Sequence, residues 1–208
     1  MESLLKEYNN NIEKYDQLKI KINKNINGRV CHNLIIILHI ICKLYNIKNY
    51  LEIGVHNGGS MSYVVSESKP KICFGIDLFE DCTGHYINDK ITQEKSFNNI
   101  KKNNINSTIN LIKGNSGSLE TIESLKVKLL NNKIDLLFID GDHSYEGVKN
   151  DFLNYSSFVA KNGLIILDDY NDNYKGIIKF VNEYIINNNN YEILGVFKNN
   201  ELIIKKFK

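Results

Sequence analysis

The 208-residue chain has no tryptophan, one proline (Pro70) and one arginine (Arg29). Arginine is the preferred fork for phosphate and guanine. Lys+Arg 26 nearly balance Asp+Glu 24, giving a formal net charge of +2. With lysines scattered and no basic stripe, the chain does not read as a nucleic-acid binder. Long apolar runs are also missing. The longest, Leu34 to Cys42, is interrupted by His39 and falls well short of the roughly 20 residues a membrane span needs, so it reads as a core helix. The acidic, polar N-terminus lacks a secretory pattern. Cys31, Cys42, Cys73 and Cys82 form no Cys-x-x-Cys pair, which fits free thiols in a reducing, cytoplasmic setting. Cys82 and His85 could make half of a zinc site, but no second pair completes it. The abundance of Asn, Ile and Lys is read as coding bias.

What is present is alternation. Apolar positions from Glu2 to Ile22 recur at helical spacing, and Asn23 to Gly28 is a polar break. Val30 to Tyr45 follows as a second helix. The first helix is expected to cover a cleft, meet a partner subunit or pack on the sheet edge. Strand patterns follow at Tyr50–Ile53, Lys71–Ile76, Thr108–Ile112, Leu136–Ile139 and Leu164–Leu167. Helical patterns lie between and after them at Ser60–Ser66, Gln93–Lys102, Leu119–Leu130, Tyr145–Phe158 and Tyr174–Ile186. Tyr191–Phe197 and Glu201–Lys206 are β-like runs joined by Asn199-Asn200, a pair suited to a tight antiparallel hairpin. Right-handed crossovers make this an α/β protein: an open, mostly parallel, seven-stranded sheet with helices on both faces and a C-terminal antiparallel hairpin. The expected organisation is a single domain, with an N-terminal helical segment, 1–48, packed on a core of 49–208. Asp81 to Ile91, the longest irregular stretch, lies where lids are often found.

Two apolar strands end in acids: Ile134 to Ile139 runs into Asp140-Gly-Asp142-His143, and Gly163 to Leu167 into Asp168-Asp169. In parallel sheets ligands bind outside the carboxyl ends of strands, so this edge is expected to handle a cation, a proton or both. A third junction, Glu52-Ile-Gly54-Val55-His56-Asn57-Gly58-Gly59-Ser60, turns from strand to helix. It is not the G-x-G-x-x-G of dinucleotide binders. Gly54 permits a sharp turn, and Gly58 and Gly59 let a ligand approach a helix N-terminus. Glu52, an acid inside an apolar strand, needs a partner, and a ligand ammonium would serve. Asp77 ends the next strand, roughly 20 residues on, where an acid can hold ribose hydroxyls. The plainer reading is a tight loop with Asp77 as a cap. Asp142 is suited to capping the helix that follows as well as to catalysis.

With these residues in hand, the chain resembles the class I S-adenosylmethionine-dependent methyltransferases, whose fold is Rossmann-like. The stretch Phe138 to Val148, followed by Gly163 to Tyr170, is similar to a subfamily of metal-dependent O-methyltransferases that act on sugars and natural products and are related to the catechol type. The resemblance covers about Tyr50 to Tyr170. It implies that Glu52 and the turn Gly54, Val55, His56, Asn57, Gly58 and Ser60 hold the methionine part of the cofactor, that Asp77 holds the ribose, and that Asn115 and Ser116 lie beside the adenine, with Asp140 next to the bound donor. It implies further that Asp140, Asp168 and Asp169 bind a magnesium-like ion, and that Asp142 or His143 serves as the base.

The chemistry agrees with the resemblance. An alcohol is a poor nucleophile for an in-line displacement. A divalent cation lowers its pKa and fixes its oxygen, and hard oxygen donors suit magnesium. His143, with an unperturbed pKa near neutrality, suits a base, whereas Asp169 could instead bond locally. His56 and His85 are weaker candidates. The expected partner is a small-molecule acceptor, a sugar or nucleotide sugar favoured, with no nucleic acid or membrane. A homo-oligomer is compatible with this reading. The alternatives are a nicotinamide-dependent (NAD) oxidoreductase and a non-catalytic binding protein that keeps the fold.

Overall fold

The computed structural model describes residues 1–26, 36–66, 70–80, 90–103 and 106–208. Arg29, Cys31, Cys82, His85, the start of the helix expected from Val30 and most of the irregular stretch 81–91 lie outside the described residues.

The helices are α1 (Glu2–Asn10), α2 (Ile12–Asn25), α3 (Ile36–Leu44), α4 (Gly59–Ser66), α5 (Gln93–Lys101), α6 (Leu119–Leu129), α7 (Tyr145–Tyr155) and α8 (Lys175–Tyr184). The strands are β1 (Asn49–Ile53), β2 (Ile72–Asp77), β3 (Thr108–Lys113), β4 (Ile134–Ile139), β5 (Val159–Leu167), β6 (Tyr191–Phe197) and β7 (Glu201–Lys206). They form one seven-stranded sheet in the order β3-β2-β1-β4-β5-β7-β6. β1 to β5 run parallel, and β7 lies antiparallel to both β5 and β6. The chain winds outward from β1 to β3 and then returns to place β4 beside β1. That reversal opens a crevice at the carboxyl ends of β1 and β4.

The apolar strands are continuous runs because both faces of the sheet are covered. Alternate residues divide between two cores. Tyr50, Leu136, Phe138, Leu164, Ile166 and Ile203 join Leu4, Tyr15, Ile22 and α3 on one side. Leu51, Ile53, Leu137, Ile139, Ile165, Leu167 and Ile204 join α6, α7 and α8 on the other. Helix starts follow local chemistry: Thr92, Ser118 and Ser144 accept a backbone N–H of α5, α6 and α7 respectively. Cys42 and Cys73 are buried thiols outside any disulfide. Among the described residues, no helix is long and apolar enough to cross a membrane.

The structure departs from the sequence pattern in four places. The helix read from Glu2 to Ile22 is broken at Asn11, whose side-chain amide donates back to the Glu7 carbonyl at 2.9 Å; asparagine competes for backbone partners in this way. α2 then runs through the polar stretch to Asn25. β5 starts at Val159, ahead of Gly163, because Asn162 at φ 64° and a register shift against β4 carry polar residues through a bulge. In the hairpin, the left-handed residues are Lys198 and Asn199, which leaves Asn200 for another task.

Candidate active site

Gly54 sits at φ +90°, with its N–H bonded to the Ile76 carbonyl at 2.9 Å. A Cβ there would overlap the carbonyl oxygen of Asp140 and lie 2.5 Å from its carbon. Only glycine fits where the β1 and β4 loops touch. Gly58, at φ +83°, is pressed against the Ser96 carbonyl and the Ile100 side chain of α5. Asp77 accepts from the His56 N–H at 2.7 Å and from the Phe79 N–H at 2.6 Å. It therefore braces two loop residues of positive φ while also lining the crevice. Val55 and Asn57 are buried. The Val55 side chain packs toward Gly75, and the Asn57 carbonyl accepts from Asn99 at 2.9 Å.

Glu52 is fully buried. Tyr50 donates to one carboxyl oxygen at 2.8 Å and Ser60 to the other. Burial pushes its carboxyl up to about 8 against the pull of those two hydroxyls, with Asp140 and Asp77 adding to the rise. Ser60 thus reaches the acid next to the turn.

Above these residues lies a cleft of about 760 Å³. Gly54, Asp77, Asn115, Ser116, Asp140 and Asp151 are among its lining. Asn115 folds back to accept from the Gly117 N–H at 2.8 Å. The Ser116 carbonyl accepts from the Tyr155 hydroxyl at 2.7 Å.

The acidic edge continues from Asp140. His143 Nε2 lies 3.3 Å from Asp140 Oδ1, and its Nδ1 lies 3.3 Å from Asp169 Oδ2. The Tyr174 ring meets the imidazole edge-on at 4.7 Å. Burial alone would lower the His143 pKa, but the hydrogen bond to Asp140 and the fields of Asp140, Asp169 and Asp142 raise it overall. Asp142 behaves differently. It is exposed and accepts from both the N–H and the hydroxyl of Ser144, the residue that caps α7. Asp169 occupies the left-handed region at φ 54°, a conformation that turns its carboxylate toward His143 and that asparagine and aspartate tolerate best. Asp168 is pushed well above the usual carboxylate range by burial first, then by Asp140, Glu201 and Asp169, and it shares a hydrogen bond with Asp140. Asp168 therefore favours its protonated form beside Asp140.

Two residues of this edge were not singled out from the sequence. Asn200 donates from its amide to Asp168 at 3.1 Å and to Glu201 at 3.2 Å, and accepts from Asn171 at 2.8 Å. Glu201 is fully buried, with burial pushing it to about 8, and its Oε2 has no hydrogen-bond partner among the described residues. The signal was available: a strand antiparallel to β5 must begin at the carboxyl end of β5, so an acid at its first residue joins the edge.

A magnesium-like ion would need Asp140, Asp168 and Asp169 to converge. In kind the donors fit a hard cation, and the orphaned Glu201 oxygen marks an edge short of positive charge. In arrangement they are held as pairs, Asp140 with Asp168 and His143 between Asp140 and Asp169. Among the described residues, no cluster of three or more His, Cys, Asp or Glu side chains is gathered to hold an ion.

Comparison with known proteins agrees with this layout. A protein of Acanthamoeba polyphaga mimivirus, itself uncharacterised, is 37% identical over 158 residues, 73% of this chain. The match spans 65% of that protein, just under two thirds of its length. Solved structures share the fold. The O-methyltransferase of Bacillus cereus in complex with S-adenosylhomocysteine superposes with a TM-score of 0.64 at 17% identity, covering 96% of this chain and 91% of that one. TomG of Streptomyces achromogenes, an O-methyltransferase solved with S-adenosylmethionine, gives 0.66 at 12% identity, covering 86% and 82%. A structure described as a putative caffeoyl-CoA O-methyltransferase from Staphylococcus aureus gives 0.60 at 20% identity, covering 99% and 98%. A family model described as a methyltransferase domain matches residues 51–170. Those bounds enclose every strand end from the Gly54 turn to Asp169, and by that match the chain belongs to the methyltransferase-domain family.

Proposed function

We propose that the chain transfers a methyl group from S-adenosylmethionine to a hydroxyl oxygen of a small acceptor, with a sugar or nucleotide sugar favoured and a divalent cation assisting. The observation that carries this reading is His143, held between Asp140 and Asp169, with Asp140 also lining the cleft that Asp77 and Ser116 line. The nicotinamide alternative has no support from the family match. In the transfer, the acceptor oxygen attacks the methyl carbon, the carbon–sulfur bond breaks, and its electron pair returns to sulfur to give S-adenosylhomocysteine. The acceptor's proton must leave. His143 is the better-supported base, because the two flanking carboxylates stabilise the imidazolium it becomes. Asp142 is occupied by the cap of α7.

Asp77 would hold the ribose hydroxyls, and Ser116 would lie beside the base. Glu52 and the Gly54–Ser60 turn would receive the methionine end, whose ammonium group offers the buried Glu52 a cation. Asp140, Asp168 and Asp169 would hold the divalent cation. When bound, it would lower the pKa of the acceptor hydroxyl and orient its oxygen.

Two measurements test the proposal. Calorimetry with S-adenosylhomocysteine should show binding at micromolar to millimolar ligand, and its absence would reject the cofactor. With labelled methyl donor and a panel of hydroxylated acceptors, Asp168→Asn should abolish turnover and keep S-adenosylhomocysteine binding. Full activity of that variant in a chelator would remove the cation from the scheme.

A further inference from the structure

One side chain of the acidic edge is gripped from the C-terminal hairpin. β5 ends in Asp168 and β7 begins with Glu201, and the two strands run antiparallel with Leu167 opposite Leu202. That register carries the next residues, Asp168 and Glu201, toward one another, where like charges repel. The Asn200 side-chain amide donates to both, to Asp168 Oδ1 at 3.1 Å and to Glu201 Oε1 at 3.2 Å.

The amide is itself oriented. Asn171 donates to the Asn200 side-chain oxygen at 2.8 Å. With its oxygen so occupied, the amide presents its nitrogen to the carboxyls. The hairpin does not need this side chain for its turn. The Asn200 N–H donates to the Phe197 carbonyl at 3.1 Å, and the Asn200 carbonyl accepts from the Tyr170 N–H at 2.7 Å. The left-handed positions belong to Lys198 and Asn199. The backbone bonds would therefore survive loss of the side chain, and only the grip on the two acids would go.

Of the three acids proposed to hold the cation, Asp140 and Asp169 meet His143, whereas Asp168 meets Asn200. An amide is a neutral donor. It pins a carboxyl without supplying a positive charge that would compete with an ion. A carboxyl already pinned also loses less rotational freedom when an ion binds.

We propose that Asn200 is a positioning residue: it holds the Asp168 carboxyl in one orientation and thereby raises the affinity of the acidic edge for a divalent cation. The inference rests on the reading of Asp140, Asp168 and Asp169 as the ligands of that cation.

The probe is manganese, with the free ion counted by electron paramagnetic resonance, on the wild type, Asn200→Ala and Lys198→Ala. Lys198 sits at the same hairpin tip but reaches the Tyr8 ring, 3.8 Å away. Asn200→Ala should weaken manganese binding by about 10- to 100-fold and leave S-adenosylhomocysteine affinity unchanged. Lys198→Ala should alter neither. Turnover of Asn200→Ala, low at limiting magnesium, should return as magnesium is raised, because the defect lies in filling the site. A residue that only stabilises the hairpin would weaken manganese and S-adenosylhomocysteine together, or would be matched by Lys198→Ala. Either result overturns the proposal, as does wild-type manganese affinity in Asn200→Ala. Should Asn200→Ala fail to fold, Asn171→Ala keeps the donor and drops the bond that orients it. A smaller loss of manganese affinity is then expected, and no loss overturns the role. Wild-type protein that takes up no manganese defeats the cation reading itself, a result distinct from binding that Asn200 does not influence.

Discussion

Gly54→Ala probes the join between the turn after β1 and the acidic end of β4. Its Cβ would overlap the Asp140 carbonyl oxygen, lie 2.5 Å from the Asp140 carbon and stand 3.0 Å from the Gly141 nitrogen. All three are backbone atoms, so no side chain can rotate away. At φ +90° the residue also loses the conformational freedom that only glycine has. The left-handed penalty for an L-residue is about 1–2 kcal/mol and overpacking costs about 1–3 kcal/mol, together roughly 2–5 kcal/mol. Against a typical stability of about 5–15 kcal/mol, that is a large fraction. At about 2–4 °C per kcal/mol for a chain of this size, the melting temperature should fall by roughly 4–20 °C. Urea unfolding followed by circular dichroism measures the loss directly. Gly117→Ala is the control, since its Cβ would meet only the end of the Asn115 side chain, at 3.3 Å; it should stay within about 0.5 kcal/mol of the wild type, as surface substitutions usually do. If Gly54→Ala matches the control, the two loops are not locked through this contact and the reasoning fails.

Glu52 gives a pH test. Its carboxyl rises from 4.5 to about 8 on folding, so the stability linked to its proton is fully present below about pH 4.5 and is lost as pH climbs through about 8. Without ligand, the wild type should lose on the order of 3–5 kcal/mol more than Glu52→Gln across that window; parallel stability curves for the two proteins would contradict the burial argument. If His143 is the base as proposed, His143→Ala should slow methyl transfer by about 10²–10⁴-fold with S-adenosylhomocysteine affinity little changed. Asp142→Asn should keep turnover within a few-fold and leave stability nearly unchanged, since the asparagine oxygen can still accept from the Ser144 N–H. Kinetics showing the reverse ranking would move the base to Asp142.

The fold was legible because every strand carries its own signal. Continuous apolar runs such as Ile134–Ile139 declared a sheet buried on both faces, and the acids that end two of them, Asp140 and Asp168, meet at one sheet edge. What the sequence hid was whatever depends on the third dimension. Asn11 breaks a helix whose apolar spacing runs straight through it. Asp142 and His143 are neighbours in sequence, yet one faces solvent as a cap and the other reaches two carboxylates, a division set by the start of α7. Asp151 sits within a helical pattern where an acid reads as a solvated face, and only the structure shows it buried beside Ser116. Asn200 looked like turn chemistry, but with the left-handed positions taken by Lys198 and Asn199 it clasps Asp168.

The sheet order also sets a timetable for building the site. Every wall residue of the cleft named above precedes Phe152 in the chain, and all but those of α7 lie on or just beyond β1 to β4. The clasp of Asn200 on Asp168 forms only once β7 has slotted between β5 and β6. A folding intermediate that lacks the docked hairpin would keep a recognisable cleft, the proposed donor site, beside an unfinished acidic edge. Binding competence would then precede catalytic competence during refolding, and stopped-flow measurements could resolve the interval.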